Sequence, residues 1–314
     1  MACDEGYAMP LATTLRSIAE SNTGAGCIEV IVLTSYFSPE MQDKVVLSLP
    51  DQSVRVRWVP VELQRFQEFS TRTYISKITY ARLLLSSLFP ESEGKVLYLD
   101  ADILVIGSLA PLWETDLDGA AVAAVVDTDS IDHSARLDSS RARQVGPAFT
   151  GTALTLGEYF NAGVLLIDLA RWREEHVSEK ALQFMAGNPE TPLADQDALN
   201  FACAGRWKKL EARWNCQNHD PKGYAQMAPE QRPTIVHFAG KWKPWNPTTL
   251  SPDNRFYNDF RHRTMFARTA IETVHYSLLH GFALLRSYLR QFKTLHSMYR
   301  LFKTTAGRDC RVLP

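Results

Sequence analysis

The stretch Lys95-Val96-Leu97-Tyr98-Leu99-Asp100-Ala101-Asp102-Ile103-Leu104-Val105 organises the reading of this chain. A run rich in β-formers, Val96 to Leu99, leads straight into two aspartates, and a second apolar run, Ile103 to Ile106, follows them. Carboxylates flanked in this way sit where a buried strand comes to the surface. Two ionised carboxylates one residue apart repel each other, and half-burying them is costly unless a cation lies between them. A divalent ion that takes hard oxygen ligands, Mn²⁺ or Mg²⁺, meets that need and would in turn hold phosphate oxygens. The plainer alternative has one aspartate capping the next segment and the other solvated, and an isolated D-x-D does not separate the two.

Around this stretch, apolar runs alternate with segments of helical period. Pro10 opens a helix with Leu11, Leu15 and Ile18 on one face, Ile28–Thr34 reads as a strand, Ser38-Pro39-Glu40 starts a helix, and Val54–Val61 is a second strand. Beyond Val105, Ser108–Trp113 reads as a short helix, Ala120–Asp127 as a buried strand, and Tyr159–Asp168 as a loop entering another. Leu169–Met185 reads as one helix, Trp207–Trp214 as a strand or hairpin, and Thr234–His237 as a short strand. Strands separated by helices predict an α/β fold with βαβ units and parallel strands. Only Met1–Cys3 precede a loop at Asp4, so a strand feeding that loop would be unusually short. The polar segment Ser130–Gly157 reads as a surface excursion or lid.

Composition narrows the class without deciding it. The chain has 314 residues, 45% hydrophobic and 22% charged, the profile of a globular protein, and its net charge of −1 says nothing about partners, none of which is expected to be a nucleic acid. Cys3, Cys27, Cys203, Cys216 and Cys310 show no C-x-x-C spacing and are odd in number, which suggests neither a zinc site nor a disulfide framework and fits reduced thiols in a cytoplasmic setting. No apolar run approaches the ~20 residues of a membrane-spanning helix.

Several residues invite a functional reading beside a structural one. Arg82 is either a site residue or a surface arginine with a solvated head. Asn161 is followed by the small pair Ala162-Gly163, which lets a ligand approach the backbone. Asp195 is a ready N-cap, but capping does not account for Gln196 and Asp197 beside it. His237 ends a strand and is followed by Gly240, Lys241, Trp242, Lys243 and Trp245, a composition suited to anions.

Six motifs in order, from Cys3 to Trp245, then carry a resemblance. They are Asp4-Glu5-Gly6-Tyr7-Ala8, Thr79-Tyr80-Ala81-Arg82, Tyr98-Leu99-Asp100-Ala101-Asp102, Phe160-Asn161-Ala162-Gly163-Val164, Asp195-Gln196-Asp197, and His237-Phe238-Ala239-Gly240 with Lys243-Pro244-Trp245. In these the chain resembles glycosyltransferase family 8, retaining enzymes that include bacterial lipopolysaccharide galactosyl- and glucosyltransferases. The resemblance implies a GT-A fold, Rossmann-like, with a mixed, mostly parallel sheet flanked by helices, and transfer of galactose or glucose from UDP-galactose or UDP-glucose to a glycan or glycolipid. It implies that Asp100, Asp102 and His237 ligate Mn²⁺ or Mg²⁺, and that Asp4 and Tyr7 bind uridine. Arg82 and Asp100 would lie near the ribose and sugar hydroxyls, and Asn161 with Ala162 and Gly163, Asp195 and Gln196 around the hexose. Gly240 and Lys243 would close over the diphosphate. Gly6 stands where some relatives carry Asn, which removes a side-chain contact.

Retention in glycoside hydrolases commonly uses a carboxylate nucleophile. The matched position here holds Gln196, a poor one, so same-face attack by the acceptor with the departing phosphate as base is expected, with Asp197 as the remaining nucleophile candidate. Two competitors stand against this reading. A haloacid-dehalogenase-type phosphatase also places D-x-D after an apolar strand, but its nucleophile lies near the N-terminus. A catalytically inactive nucleotide-sugar-binding scaffold would not need Asp100, Asp102, His237 and Lys243 together.

The resemblance fades near Arg255, which divides the chain into a catalytic domain at 1–254 and a C-terminal extension at 255–314. Between Thr273 and Arg308 there are six Lys or Arg and no Asp or Glu, and Ile271, Val274, Leu278, Phe282, Leu285 and Leu289 recur at helical spacing. A basic amphipathic helix of this kind predicts peripheral attachment to the membrane surface. Packing on the catalytic domain, or a homodimer seam, is the alternative.

Overall fold

The structure, a computed structural model, describes residues 1–24, 26–69, 76–91, 94–127, 159–191, 193–217, 227–228, 232–251 and 253–306. The expected lid at 130–157 lies outside the described residues. A 3₁₀ turn at Glu5–Tyr7 leads into α1 (Ala8–Ser21), and β1 (Ile28–Thr34), α2 (Pro39–Val46) and β2 (Val54–Pro60) form a βαβ unit with β1 and β2 parallel. A 3₁₀ segment, Lys77–Leu84, and α3 (Leu85–Leu88) then deliver the chain to β3 (Lys95–Leu99) and β4 (Ile103–Val105). After α4 (Ala110–Trp113) come β5 (Val122–Val126), β6 (Phe160–Asp168), α5 (Leu169–Glu174), α6 (Val177–Gly187) and α7 (Asp195–Ala202). β7 (Lys208–Lys209), β8 (Ile235–His237), α8 (Asp253–His262) and α9 (Ala270–Ala306) complete the described chain.

The strands order as β1-β2, β3-β6-β5-β7 and β4-β8. β6 runs antiparallel to β3 and β5, β4 runs antiparallel to β8, and β5 and β7 are parallel. The result is the expected α/β fold, a mixed sheet arrangement flanked by helices. Tyr98, Phe160, Ala162, Leu165 and Ile167 join a core with Tyr80, Trp172 and Phe184. Leu99, Ile103, Val105 and Val164 join another with Leu11, Leu15 and Ile18 of α1. Burial on both sides is why β6 reads as an almost unbroken apolar run. The first strand is as short as expected: Ala2 bridges Leu33 in parallel, with Cys3 N–H donating to Leu33 O at 3.0 Å and Leu33 N–H to Met1 O at 2.9 Å.

Two expectations need correction. The helix expected over Leu169–Met185 breaks at His176, which is left-handed at φ 53°. The reason is phase: Trp172 and Val177 are five residues apart, a step no single helix keeps on one face, and the break returns both to the core. Asn161–Gly163 lie inside β6 rather than in a loop before it, and the register against β5 shifts between Ala124 and Val126 at this level. Such an irregularity re-aims side chains next to a site. Beyond residue 254 the described chain goes on packing against these elements. Tyr257 of α8 is buried among Leu104, Val236 and Phe238, and Met265 N–H donates to Ser48 Oγ at 3.1 Å.

Helix α1 also carries hydroxyls where an apolar face is expected. Thr14 Oγ1 donates to Ala101 O (2.9 Å) and Ile103 O (2.7 Å), Ser21 Oγ donates to Val105 O (2.8 Å), and Ser17 Oγ accepts from Val105 N–H (2.9 Å). These side chains satisfy the β4 backbone on the edge that β8 does not pair. Thr14→Val keeps the shape and removes the donor, so it should lower unfolding free energy by about 1–3 kcal/mol in denaturant titration. Thr13→Val, whose hydroxyl donates to Met9 O of the same helix at 2.9 Å, should cost less.

Candidate active site

β3 leaves β6 at Leu99 and β4 joins β8 at Ile103, so Asp100-Ala101-Asp102 spans a change of partner. Asp100 N–H donates to Gly163 O at 2.8 Å and Phe238 N–H donates to Asp102 O at 3.0 Å, which fixes the turn from both sides. A cavity of about 300 Å³ opens there. Asp4, Tyr7, Arg82, Asp100, Asp102, Asn161, Ala162, Gly163, Asp195, Gln196, His237, Gly240 and Lys243 all line it, with Thr79 and Asp127.

Arg82 is 6% exposed, not a surface arginine. Its guanidinium lies 2.8 Å from Asp100 Oδ1 and 2.8 Å from Asp195 Oδ2, donates to Ala162 O at 2.7 Å, and stacks 4.5 Å from the Tyr98 ring. Burial opposes its charge, but the two carboxylates outweigh burial and hold its pKa above the ordinary value. Asp195 is not the N-cap of α7; Ala194 is, at φ 52°, and Asp195 turns to Arg82 and accepts from Thr79 Oγ1 at 3.1 Å. Burial pushes the Asp195 carboxyl up to about 6 despite Arg82, and Asp100, which shares the same guanidinium, adds to the rise.

Asp100, Asp102 and His237 each bring one donor atom within 4.8 Å of the others. His237 Nε2 is 3.8 Å from Asp100 Oδ2 and 3.4 Å from Asp102 Oδ1. Two carboxylate oxygens and an imidazole nitrogen suit Mn²⁺ or Mg²⁺. Gly163 makes the room: a Cβ there would lie 2.2 Å from His237 Cε1 and 2.9 Å from Asp100 Oδ2. The donor set and the space kept for it therefore fit a divalent ion. Lys243 Nζ also donates to Asp102 Oδ2, and to Phe238 O at 2.7 Å. Burial works against ionisation of Asp102, yet the Lys243 ammonium holds its carboxyl well below the usual carboxylate range.

Beside the acidic cluster lies a network of amides. Gln196 Oε1 accepts from Ala162 N–H at 3.0 Å and its Nε2 donates to Asp127 Oδ2 at 2.7 Å. Asp197 does not line the cavity. Its carboxylate accepts from Tyr159 Oη (2.6 Å), Thr191 Oγ1 (2.5 Å) and Leu193 N–H (2.9 Å), so it ties down the approach to α7. Tyr7 meets Trp245 edge-on at 5.8 Å between ring centroids. Sequence reading missed Asp127 and Asn215. Asp127 was signalled by the same apolar-run-then-carboxylate pattern as Asp100, whereas Asn215 carries no local signal. A larger cavity of about 820 Å³, between α8 and α9, is lined by Arg255, Arg261, Arg263 and Arg268 and holds none of the motif residues.

Comparison with known proteins places the chain in a family. The profile of Glycosyl transferase family 8 matches residues 1–249. General stress protein A of Bacillus subtilis is 27% identical over 265 residues, 79% of this chain and 87% of that protein. The lipopolysaccharide 1,3-galactosyltransferase of Salmonella typhimurium is 25% identical over 247 residues, 76% of this chain and 70% of its own. Among solved structures, the galactosyltransferase LgtC in complex with donor and acceptor sugar analogs superposes with a TM-score of 0.69 at 27% identity, covering 84% of this chain and 94% of that one.

Two features of the cavity can be measured directly. A carboxyl whose pKa is raised in the folded state keeps its proton while the unfolded chain, with an ordinary Asp near ~3.9, has lost it. Asp195 should therefore make stability fall as pH rises from about 4 to about 6. Asp195→Asn should remove that part of the pH dependence in urea titrations. Gly163→Ala should displace the His237 ring and abolish divalent-ion binding, read by calorimetry, with far less effect on the far-UV spectrum.

Proposed function

Since the chain belongs to Glycosyl transferase family 8, we propose that this glycosyltransferase moves galactose or glucose from UDP-galactose or UDP-glucose, with retention, to a glycan or glycolipid acceptor. The observation that carries the reading is the Asp100–Asp102–His237 cluster with Lys243 at its edge, in a cavity that also holds Arg82, Asp195 and Gln196. Mn²⁺ or Mg²⁺ held by those three residues would offset the negative charge that develops on the departing diphosphate.

The protein's own groups supply the rest. Asp4 and Tyr7 take the uridine, with Trp245 bracing the Tyr7 ring. Arg82 locks Asp100 and Asp195 in place, so that Asp195 and Asn161 face the hexose hydroxyls. Lys243 adds a positive charge on the diphosphate side, and Gly240, at φ 73°, gives its loop a left-handed turn that L side chains resist. Gln196 has its carbonyl oxygen engaged by Ala162 N–H, which weakens it further as a nucleophile. With Asp197 turned away, the acceptor hydroxyl attacks on the face the diphosphate leaves, and the departing phosphate oxygen takes its proton.

The acceptor reading extends to α9. Its Ile271 is 83% exposed and Phe282 67%, and Val274, Leu278, Leu285 and Leu289 are exposed with them. At about 100° per residue these lie opposite Thr273, Tyr276 and His280, which face α8. That apolar face rests on nothing in the described chain, which supports peripheral attachment to the cytoplasmic side of a membrane bearing the acceptor; a homodimer seam is the second reading. No helix among the described residues is long and apolar enough to cross a membrane.

UDP release from a panel of UDP-sugars, with Mn²⁺ and with EDTA, tests the reaction. Slow hydrolysis of a UDP-hexose that EDTA stops and Asp102→Ala loses is the expected result. UDP binding without turnover of any donor would instead make the protein a nucleotide-sugar-binding scaffold.

A further inference from the structure

The amide network beside the cluster has no freedom in how it points. Gly163 N–H, a backbone donor, reaches Asn161 Oδ1 at 2.9 Å, and Asn161 Nδ2 reaches Asp127 Oδ2 at 3.4 Å. The same Asp127 oxygen receives Gln196 Nε2, whose own carbonyl is pinned by Ala162 N–H. Two backbone donors thus orient two amides, and both give their NH₂ to one carboxylate. Asn215 meets Asn161 Oδ1 at 2.9 Å. An amide oxygen can only accept, so Asn215 presents its NH₂ there and turns its Oδ1 to His237 Nδ1, 2.9 Å away. His237 must then carry its proton on Nδ1. Its Nε2 lone pair is left facing the Asp100 and Asp102 carboxylates, an arrangement that calls for a cation between them.

We propose that Asn215 is a positioning residue for the metal centre: held by Asn161, it fixes His237 in the Nδ1–H form and keeps Nε2 as the ligand. Asn215 is 1% exposed and does not line the cavity, so it acts through the two lining residues it touches, His237 and Asn161. Asparagine suits the position because it offers an acceptor to one neighbour and a donor to the other. A ligating histidine whose second nitrogen is held in this way loses less freedom on binding, and removing such a partner costs about 10- to 100-fold in metal affinity.

The inference rests on the metal-dependent reading above, and the experiment separates the two. Long-range ¹H–¹⁵N correlation spectra of ¹⁵N-histidine-labelled, metal-free protein at about pH 8, where an ordinary imidazole is neutral, report the tautomer of each ring. His237 is assigned by its loss in His237→Gln. The wild type should show Nδ1–H at His237, Asn215→Ala should populate Nε2–H, and Asn215→Asp, which keeps an acceptor, should retain Nδ1–H. Mn²⁺ titration by calorimetry should show about 10- to 100-fold weaker binding in Asn215→Ala and a smaller loss in Asn215→Asp, which keeps the acceptor for His237 but not the donor to Asn161. An Nε2–H wild type, or an Asn215→Ala protein that binds Mn²⁺ as wild type does, overturns the proposal. A wild type that binds no divalent ion removes the metal reading, and the ring spectra still decide the role of Asn215.

Discussion

The structure depends on balancing negative charge where β3 changes partner to become β4. Asp100, Asp102 and Asp195 converge on one cavity floor, the last two buried and Asp100 partly so. Three such carboxylates would not stay together in a fold without cations spaced among them. Arg82 supplies one from below, bridging Asp100 and Asp195 at 2.8 Å each, and Lys243 supplies another from the loop after β8. The elements that carry these cations come from distant parts of the chain, which makes the charge balance a tertiary constraint. The 3₁₀ segment at Lys77–Leu84, the left-handed Ala194 and the small Gly163 are all needed to bring the groups within reach.

Much of this was legible in the residues, for reasons that can be named. Strand runs that end in a carboxylate or histidine mark where backbone leaves the core, which singles out Asp100, Asp102 and His237, but only the family resemblance groups them. Local chemistry also marked the start of α2, because proline at a first helical position has one dominant meaning. What the local pattern does not carry is a partner far along the chain. Asp195 has the local form of an N-cap and is instead drawn to Arg82, more than a hundred positions earlier. Arg82 has the local form of a surface arginine, and only its two carboxylates explain why it is buried. The break at His176 was the exception, since the five-residue step from Trp172 to Val177 contains it.

The amides beside the cluster show a different kind of order. Charged groups set the energy of the floor, but Asn161, Asn215 and Gln196 set its directions. Each is pinned by a group that can play only one role, and the orientation passes from backbone to ring without a charge moving. Networks of this kind are costly when half satisfied, which ties the placement of β6 to that of β8.

The hydroxyls of α1 have a consequence beyond their hydrogen bonds. β4 lies at an edge of its two-stranded pair, and an open edge invites another polypeptide to add itself as a further strand. Thr14, Ser17 and Ser21 already occupy the polar groups of that edge, so the helix seals it. The segment that carries the acidic pair is thereby closed to self-association.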